Sequence, residues 1–212
     1  MKRCVIIGSA EISDYPKIRG RLQPEQDFYI LCDGGLRHLE PLGITPDLII
    51  GDFDSHENPH LPVETIVLPH EKDDTDTVFA VKEALRRGFA EFLLAGVIGG
   101  RLDHTLGNVS ILLMLDAAGA RGEIVDDYST MQLLKREPVL IDDSVAYFSL
   151  LNITGTTRGV FIEHAQYPLQ NAEIPVTYQY GVSNEVLPGK TAVVRVEEGC
   201  ALLIKIDTKR PC

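Results

Sequence analysis

Six short apolar runs, separated by amphipathic segments, constrain this 212-residue chain more than any other feature. They are Cys4–Ile7, Phe28–Cys32, Leu48–Ile50, Thr65–Leu68, Phe92–Val97 and Glu123–Val125. They are rich in Val, Ile and Leu and do not alternate with polar residues, as strands covered on both faces of a parallel sheet do. Between them, Thr77–Arg87 places Val78, Val81 and Leu85 on one stripe and stops at Gly88. His104–Ala118 does the same with Leu106, Val109, Leu112 and Leu113, and stops at Gly119. A shorter helix is expected over Leu36–Leu42. This alternation predicts an α/β domain, a mostly parallel sheet flanked by helices.

The pattern changes near Lys135–Pro138. Val145–Asn152, Gly159–Glu163, Val176–Tyr180, Thr191–Val196 and Ala201–Ile206 are β-branched or alternating. Turn chemistry separates them at Asn152–Gly155, Leu187–Lys190 and Glu197–Gly199. The expectation is two domains, 1–135 and 136–212, the second an all-β sandwich.

Lys and Arg number 20 against 31 Asp and Glu, a net charge of −11. That balance argues against a nucleic-acid or anionic-membrane partner, since both demand clustered Lys and Arg. Segment 47–76 holds nine acids against the single base Lys72. Such a run is either a solvated face or a cation site. The four cysteines are not spaced for zinc, and Cys4 and Cys32 read as small core residues. No secretory pattern or membrane-length apolar run is present, so a reduced, cytoplasmic protein is expected.

Four signatures follow predicted strand ends, the edge where open α/β sheets bind ligands. Asp33-Gly34-Gly35 is a turn or a close backbone approach. In Gly51-Asp52-Phe53-Asp54-Ser55, an extended chain would point Asp52 and Asp54 the same way with Phe53 behind. Their repulsion is relieved by a divalent cation, and hard oxygen ligands suit Mg²⁺. Glu71-Lys72-Asp73-Asp74-Thr75-Asp76-Thr77 opens a helix; Asp73, Thr75 or Asp76 caps it, yet the carboxylates exceed what capping needs. Gly99-Gly100-Arg101-Leu102-Asp103-His104, with Asn108 one turn on, suits phosphate and sugar, with Arg101 gripping phosphate bidentately. The ordinary alternatives are an N-cap at Asp103 and surface positions at His104 and Asn108.

In order and spacing these motifs closely resemble the thiamine pyrophosphokinase (thiamine diphosphokinase) family. Tyr167-Pro168-Leu169 and Gly181-Val182-Ser183-Asn184-Glu185 extend the resemblance over nearly the whole chain. It implies an α/β MgATP-binding catalytic domain, a thiamine-binding and dimerising β-sandwich, and a homodimer with the active site at the subunit interface. It implies pyrophosphoryl transfer from MgATP to the thiamine hydroxyl, giving thiamine diphosphate and AMP. By motif position, Asp52, Asp54 and Asp76 would be metal ligands. Asp33, Lys72, Asp73, Arg101, Asp103, His104 and Asn108 would line the ATP and thiamine pockets. Ser183 and Asn184 would contact thiamine across the interface. The resemblance implies an aromatic ring such as Trp stacked on thiamine; the chain has no Trp, and Tyr180 or Tyr167 would substitute.

The chemistry fits from below, because positioning and charge neutralisation supply most of the rate in phosphoryl transfer. Lys72 and Arg101 would offset triphosphate charge, and Asp103 would orient or deprotonate the hydroxyl. The alternatives are a pyrophosphokinase for another hydroxymethyl heterocycle such as a pterin, an aspartate-nucleophile phosphatase built on Asp52-Phe53-Asp54-Ser55, and a non-catalytic nucleotide sensor. The phosphatase motif belongs after a first strand, whereas here it follows the third.

Overall fold

A computed structural model describes residues 2–53, 61–69, 71 and 73–207. The chain divides into two compact units, Met1–Asp127 and Tyr128–Cys212. The division falls earlier than the compositional change at 135, because the strand at 129–134 pairs with the last strand of the second unit.

In the first unit, strands β1 (Cys4–Ile7), β2 (Phe28–Cys32), β3 (Leu48–Gly51), β4 (Glu64–Val67), β5 (Glu91–Ala95) and β6 (Arg121–Val125) coincide with the six apolar runs to within a few residues. All their pairings are parallel, in the order β4-β3-β2-β1-β5-β6. Every residue of β1 and β3 is buried, which explains the absence of alternation. Helix α1 (Tyr15–Arg19) joins β1 to β2, and a 3₁₀ turn (Asp33–His38) running into α2 (Leu39–Leu42) joins β2 to β3. Helix α3 (Asp76–Arg86) precedes β5, and α4 (Leu102–Ala117) links β5 to β6.

The core contains Val5, Ile7, Ile18, Leu31, Leu42, Leu93 and Val125 in one cluster. Each such side chain stabilises the fold by about 1.5–3 kcal/mol. Cys4 is buried and free, and burial pushes its thiol pKa up. Cys32 is likewise buried. Helix α1 escaped the sequence reading because five residues show no period; Asp14 caps it by accepting from the Lys17 N–H at 3.0 Å.

The second unit is a sandwich of two antiparallel sheets. One orders β7 (Ser129–Leu134), β13 (Ala201–Ile206) and β9 (Tyr147–Leu151) as β7-β13-β9. The other orders β11 (Leu169–Pro175), β10 (Thr156–Glu163), β12 (Thr191–Arg195) and β8 (Val139–Asp142) as β11-β10-β12-β8. Phe148, Leu150, Val160, Ile162, Ile174, Val194 and Leu203 belong to its core.

One expected strand is absent. Val176–Tyr180 alternates like a strand, but β11 ends at Pro175 and a turn follows, with the Tyr178 N–H donating to the Pro175 carbonyl. Gln179 then grips Asn152, its Nε2 donating to the Asn152 carbonyl at 2.7 Å and its Oε1 accepting from the Asn152 N–H at 2.8 Å. Tyr178 and Val176 are left exposed rather than buried by a sheet.

Candidate active site

The parallel sheet reverses its strand order at β1, whose neighbours are β2 and β5. The strand ends at such a reversal form the ligand crevice of open α/β folds. The Asp33-Gly34-Gly35 motif starts the 3₁₀ turn beyond β2. A Cβ on Gly35 would lie 2.3 Å from the Ile7 carbonyl oxygen, so this glycine serves a close approach to the β1 backbone. The pairing brings Asp33 to the sheet edge, buried to 5% exposure.

Asp52 follows β3 and Asp76 opens α3. Asp33, Asp52 and Asp76 each offer a carboxylate oxygen, and these oxygens all lie within 4.8 Å of one another. Ligand oxygens of an octahedral Mg²⁺ with bonds near 2.1 Å lie about 3–4 Å apart, so the three oxygens are close to the spacing that one hard cation requires. The family resemblance implies Asp52, Asp54 and Asp76 as metal ligands and puts Asp33 among the residues lining the ATP and thiamine pockets. The fold makes Asp33 the third carboxylate. Its glycine-rich context read as a turn, and nothing local in the sequence reports that β2 lies beside β3.

Strand β3 does not run on through the motif of Asp52 and Asp54. β3 ends at Gly51, and Phe53 has φ of 55°. A bulky residue in the left-handed region costs about 1–3 kcal/mol and persists where its surroundings enforce it. The chain therefore turns at Phe53. Asp54 lies outside the described residues, as does Lys72.

Thr75 is the N-cap of α3, accepting from the Val78 N–H at 3.3 Å. Asp76 is the acidic residue of the first turn that follows. Asp74 forms an ion pair with Lys82 at 2.7 Å, and Asp73 is exposed.

At the start of α4, the Arg101 guanidinium donates to the Asp103 carboxylate at 2.6 and 3.2 Å, with both side chains exposed. Arg101, then the His104 N–H, hold the Asp103 pKa at about 2. A carboxylate so held is a weak base while the pair lasts. His104 is exposed. Asn108 is not a surface position: it is 7% exposed and its Nδ2 donates to the Val97 carbonyl at 2.8 Å. It ties α4 to the chain leaving β5. The Thr105 hydroxyl reinforces that link by accepting from the Gly99 N–H at 3.0 Å.

In the second unit, Ser183 is exposed with φ of 58°, and its N–H donates to Ser149 Oγ at 3.0 Å. Asn184 is 4% exposed, its carboxamide turned onto the backbone of Tyr167 and Glu185. Tyr167 and Tyr180 are 64% and 39% exposed.

Residues 20–122 match the family model described as thiamin pyrophosphokinase, catalytic domain. Residues 138–201 match the one described as thiamin pyrophosphokinase, vitamin B1 binding domain. The chain belongs to the thiamin pyrophosphokinase family. A thiamine pyrophosphokinase of Bacillus subtilis is 27% identical over 195 residues, 88% of this chain and 91% of that protein. The crystal structure of a Bacillus subtilis thiamine pyrophosphokinase superposes with a TM-score of 0.82 at 24% identity, covering 97% of this chain and 99% of that one. That of a Geobacillus thermodenitrificans thiamin pyrophosphokinase gives 0.80 at 26%, covering 96% and 97%. Asp33, Asp52, Asp76, Arg101, Asp103 and Asn108 all fall in the stretch matched to the catalytic domain. Tyr167, Ser183 and Asn184 fall in the stretch matched to the vitamin B1 binding domain of the thiamin pyrophosphokinase family.

Proposed function

We propose that this chain transfers the pyrophosphoryl group of ATP to the hydroxyl of thiamine. The thiamine oxygen forms a bond to the β-phosphorus. The bond from that phosphorus to the α-bridging oxygen breaks, AMP leaves with that oxygen, and the hydroxyl proton is released. The observation that carries this reading is the Asp33–Asp52–Asp76 cluster in a chain whose two halves match the catalytic and vitamin B1 binding domains.

Asp33, Asp52 and Asp76 would hold Mg²⁺, with Asp54 a further ligand. Bound there, the ion supplies positive charge to phosphate oxygens. Arg101 and Lys72 bind the triphosphate, and Asp73, His104 and Asn108 shape its surroundings. Asp103, ionised beside Arg101, orients the thiamine hydroxyl. Ser183 contributes to the thiamine side, with Asn184 behind it. We extend the proposal to a cytoplasmic homodimer with the active site at the subunit interface. Exposed Val176, Tyr178 and Val182 in the second unit support the dimer.

Purified protein supplied with thiamine, ATP and Mg²⁺ is expected to form thiamine diphosphate and AMP in equal amounts, and chelation should stop it. Turnover of a hydroxymethylpterin with none of thiamine would overturn the substrate assignment. An aspartyl-phosphate trapped on the wild type but not on Asp52→Asn would favour a phosphatase. Sedimentation giving a monomer would overturn the dimer.

A further inference from the structure

Tyr167 combines a tightly held backbone with an exposed ring. The residues before it pair with the segment after Ser183. The Leu187 N–H donates to the His164 carbonyl at 2.9 Å, Ala165 and Val186 form an antiparallel bridge, and the Gln166 N–H donates to the Glu185 carbonyl at 2.8 Å. At Tyr167 a side chain takes over from the backbone. Asn184 Oδ1 accepts from the Tyr167 N–H at 3.0 Å, and Asn184 Nδ2 donates to the Tyr167 carbonyl at 2.8 Å.

The clasp is itself anchored. Asn184 and Phe148 of β9 exchange both backbone hydrogen bonds, at 2.8 and 2.9 Å, and Phe148 is 1% exposed. Asn184 Oδ1 also accepts from the Glu185 N–H at 2.9 Å. A carboxamide has two acceptor sites and two N–H donors. Both acceptor sites and one donor are committed to backbone groups, in a side chain buried to 4% exposure. A solvent-facing residue needs no such anchoring for stability, whereas a ring that must be presented in one orientation does.

We infer that Asn184 is a positioning residue: it acts on thiamine through Tyr167, fixing the backbone that presents the phenol ring, and does not touch the substrate. The inference rests on the thiamine reading proposed above. Thiamine offers a flat pyrimidine and a cationic thiazolium, and the face of a phenol attracts both kinds of group. Pinning the Tyr167 peptide on both sides lowers the ordering cost of that contact.

A double-mutant cycle on the full chain separates action through Tyr167 from direct contact. Asn184→Asp keeps the acceptor for the Tyr167 and Glu185 N–H groups and removes the donor to the Tyr167 carbonyl. It should raise the thiamine KM roughly 5-fold or more, with the ATP KM unchanged, and add less than about 2-fold once Tyr167→Ala is present. The same factor in both backgrounds would overturn the inference. So would a fall in kcat and thermal midpoint with no thiamine-specific change, the mark of a merely structural role. Wild-type protein gives a readout independent of variant folding. The Tyr167 N–H should exchange as slowly as that of Gln166, and thiamine should shift the Tyr167 ring resonances but not the Asn184 side-chain amide. A freely exchanging Tyr167 N–H, or a shift confined to the Asn184 amide, would overturn it. Wild type inactive on thiamine overturns the thiamine reading and this inference with it; active wild type with additive variants overturns this inference alone.

Discussion

Gly51 and Asp33 stand so close across the ends of β3 and β2 that a Cβ at position 51 would lie 2.7 Å from the Cβ of Asp33. The third carboxylate of the acidic cluster therefore keeps its place because the neighbouring strand end carries no side chain. Gly51→Ala must move Asp33 or the backbone. It should cost about 1–3 kcal/mol of stability and lower Mg²⁺-dependent turnover by roughly 10-fold or more. Denaturation curves and Mg²⁺ titrations of activity measure the two effects, and unchanged turnover would separate Asp33 from the reaction.

Asp33→Asn tests the cluster without steric disturbance. It removes one negative charge from three carboxylates whose oxygens lie within 4.8 Å of one another. Relief of repulsion should offset lost contacts, so the denaturation midpoint should change little. The half-saturating Mg²⁺ concentration should rise by about 10-fold or more. An unchanged Mg²⁺ requirement would remove Asp33 from the ligand set.

The Arg101–Asp103 pair predicts a specific pH behaviour. The Asp103 pKa is depressed from 3.8 to about 2. Its contribution is thus complete above 3.8 and is lost as pH falls through about 2. At neutral pH the carboxylate is ionised in wild type. Arg101→Gln should move the Asp103 titration, followed by carbon NMR, back toward the ordinary carboxylate range, and should weaken MgATP binding by roughly 10-fold. No movement of that titration would show that Arg101 does not govern Asp103.

His38 predicts an effect of the same sign nearer neutrality. It is 1% exposed, its Nε2–H donates to the Ala10 carbonyl at 2.9 Å, and its Nδ1 accepts from the Tyr15 hydroxyl at 2.8 Å. Burial holds its pKa below the ordinary 6.5. Below 6.5 the unfolded chain therefore binds more protons than the folded one, so His38 makes stability rise with pH through that region. Urea denaturation from about pH 5 to 8 should show a slope that His38→Gln flattens. An identical slope in the variant would place its origin elsewhere.

Much of the fold was legible because its signals are local. The six parallel strands announced themselves as unalternating apolar runs, and α3 and α4 as helical stripes closed by glycine. Where local signals misled, a tertiary contact had intervened. Val176–Tyr180 has the alternation of a strand, but the Gln179 carboxamide bonds both backbone groups of Asn152 and the segment turns. Asn108, one turn from His104, reads as either a pocket residue or a surface position, but its amide is drawn inward by the Val97 carbonyl. Phe53 reads as part of an extended pair of aspartates, but β3 ends at Gly51 and the chain turns at Phe53.

The sequence by itself determined the order of the six parallel strands and of α3 and α4 among them, the place of the acidic motifs past strand ends, and the family resemblance those motifs carry. Each of these depends on spacing along the chain, through the periods of strand and helix and the chemistry of caps and turns. Only the tertiary structure decided which carboxylates converge. Asp33, Asp52 and Asp76 meet because β2 and β3 are parallel neighbours and α3 starts beside their ends. Strand adjacency is set by how apolar faces pack over long loops, a free energy that no short stretch of sequence contains. The same holds for Asn184, whose role follows from the backbone its amide reaches rather than from its motif.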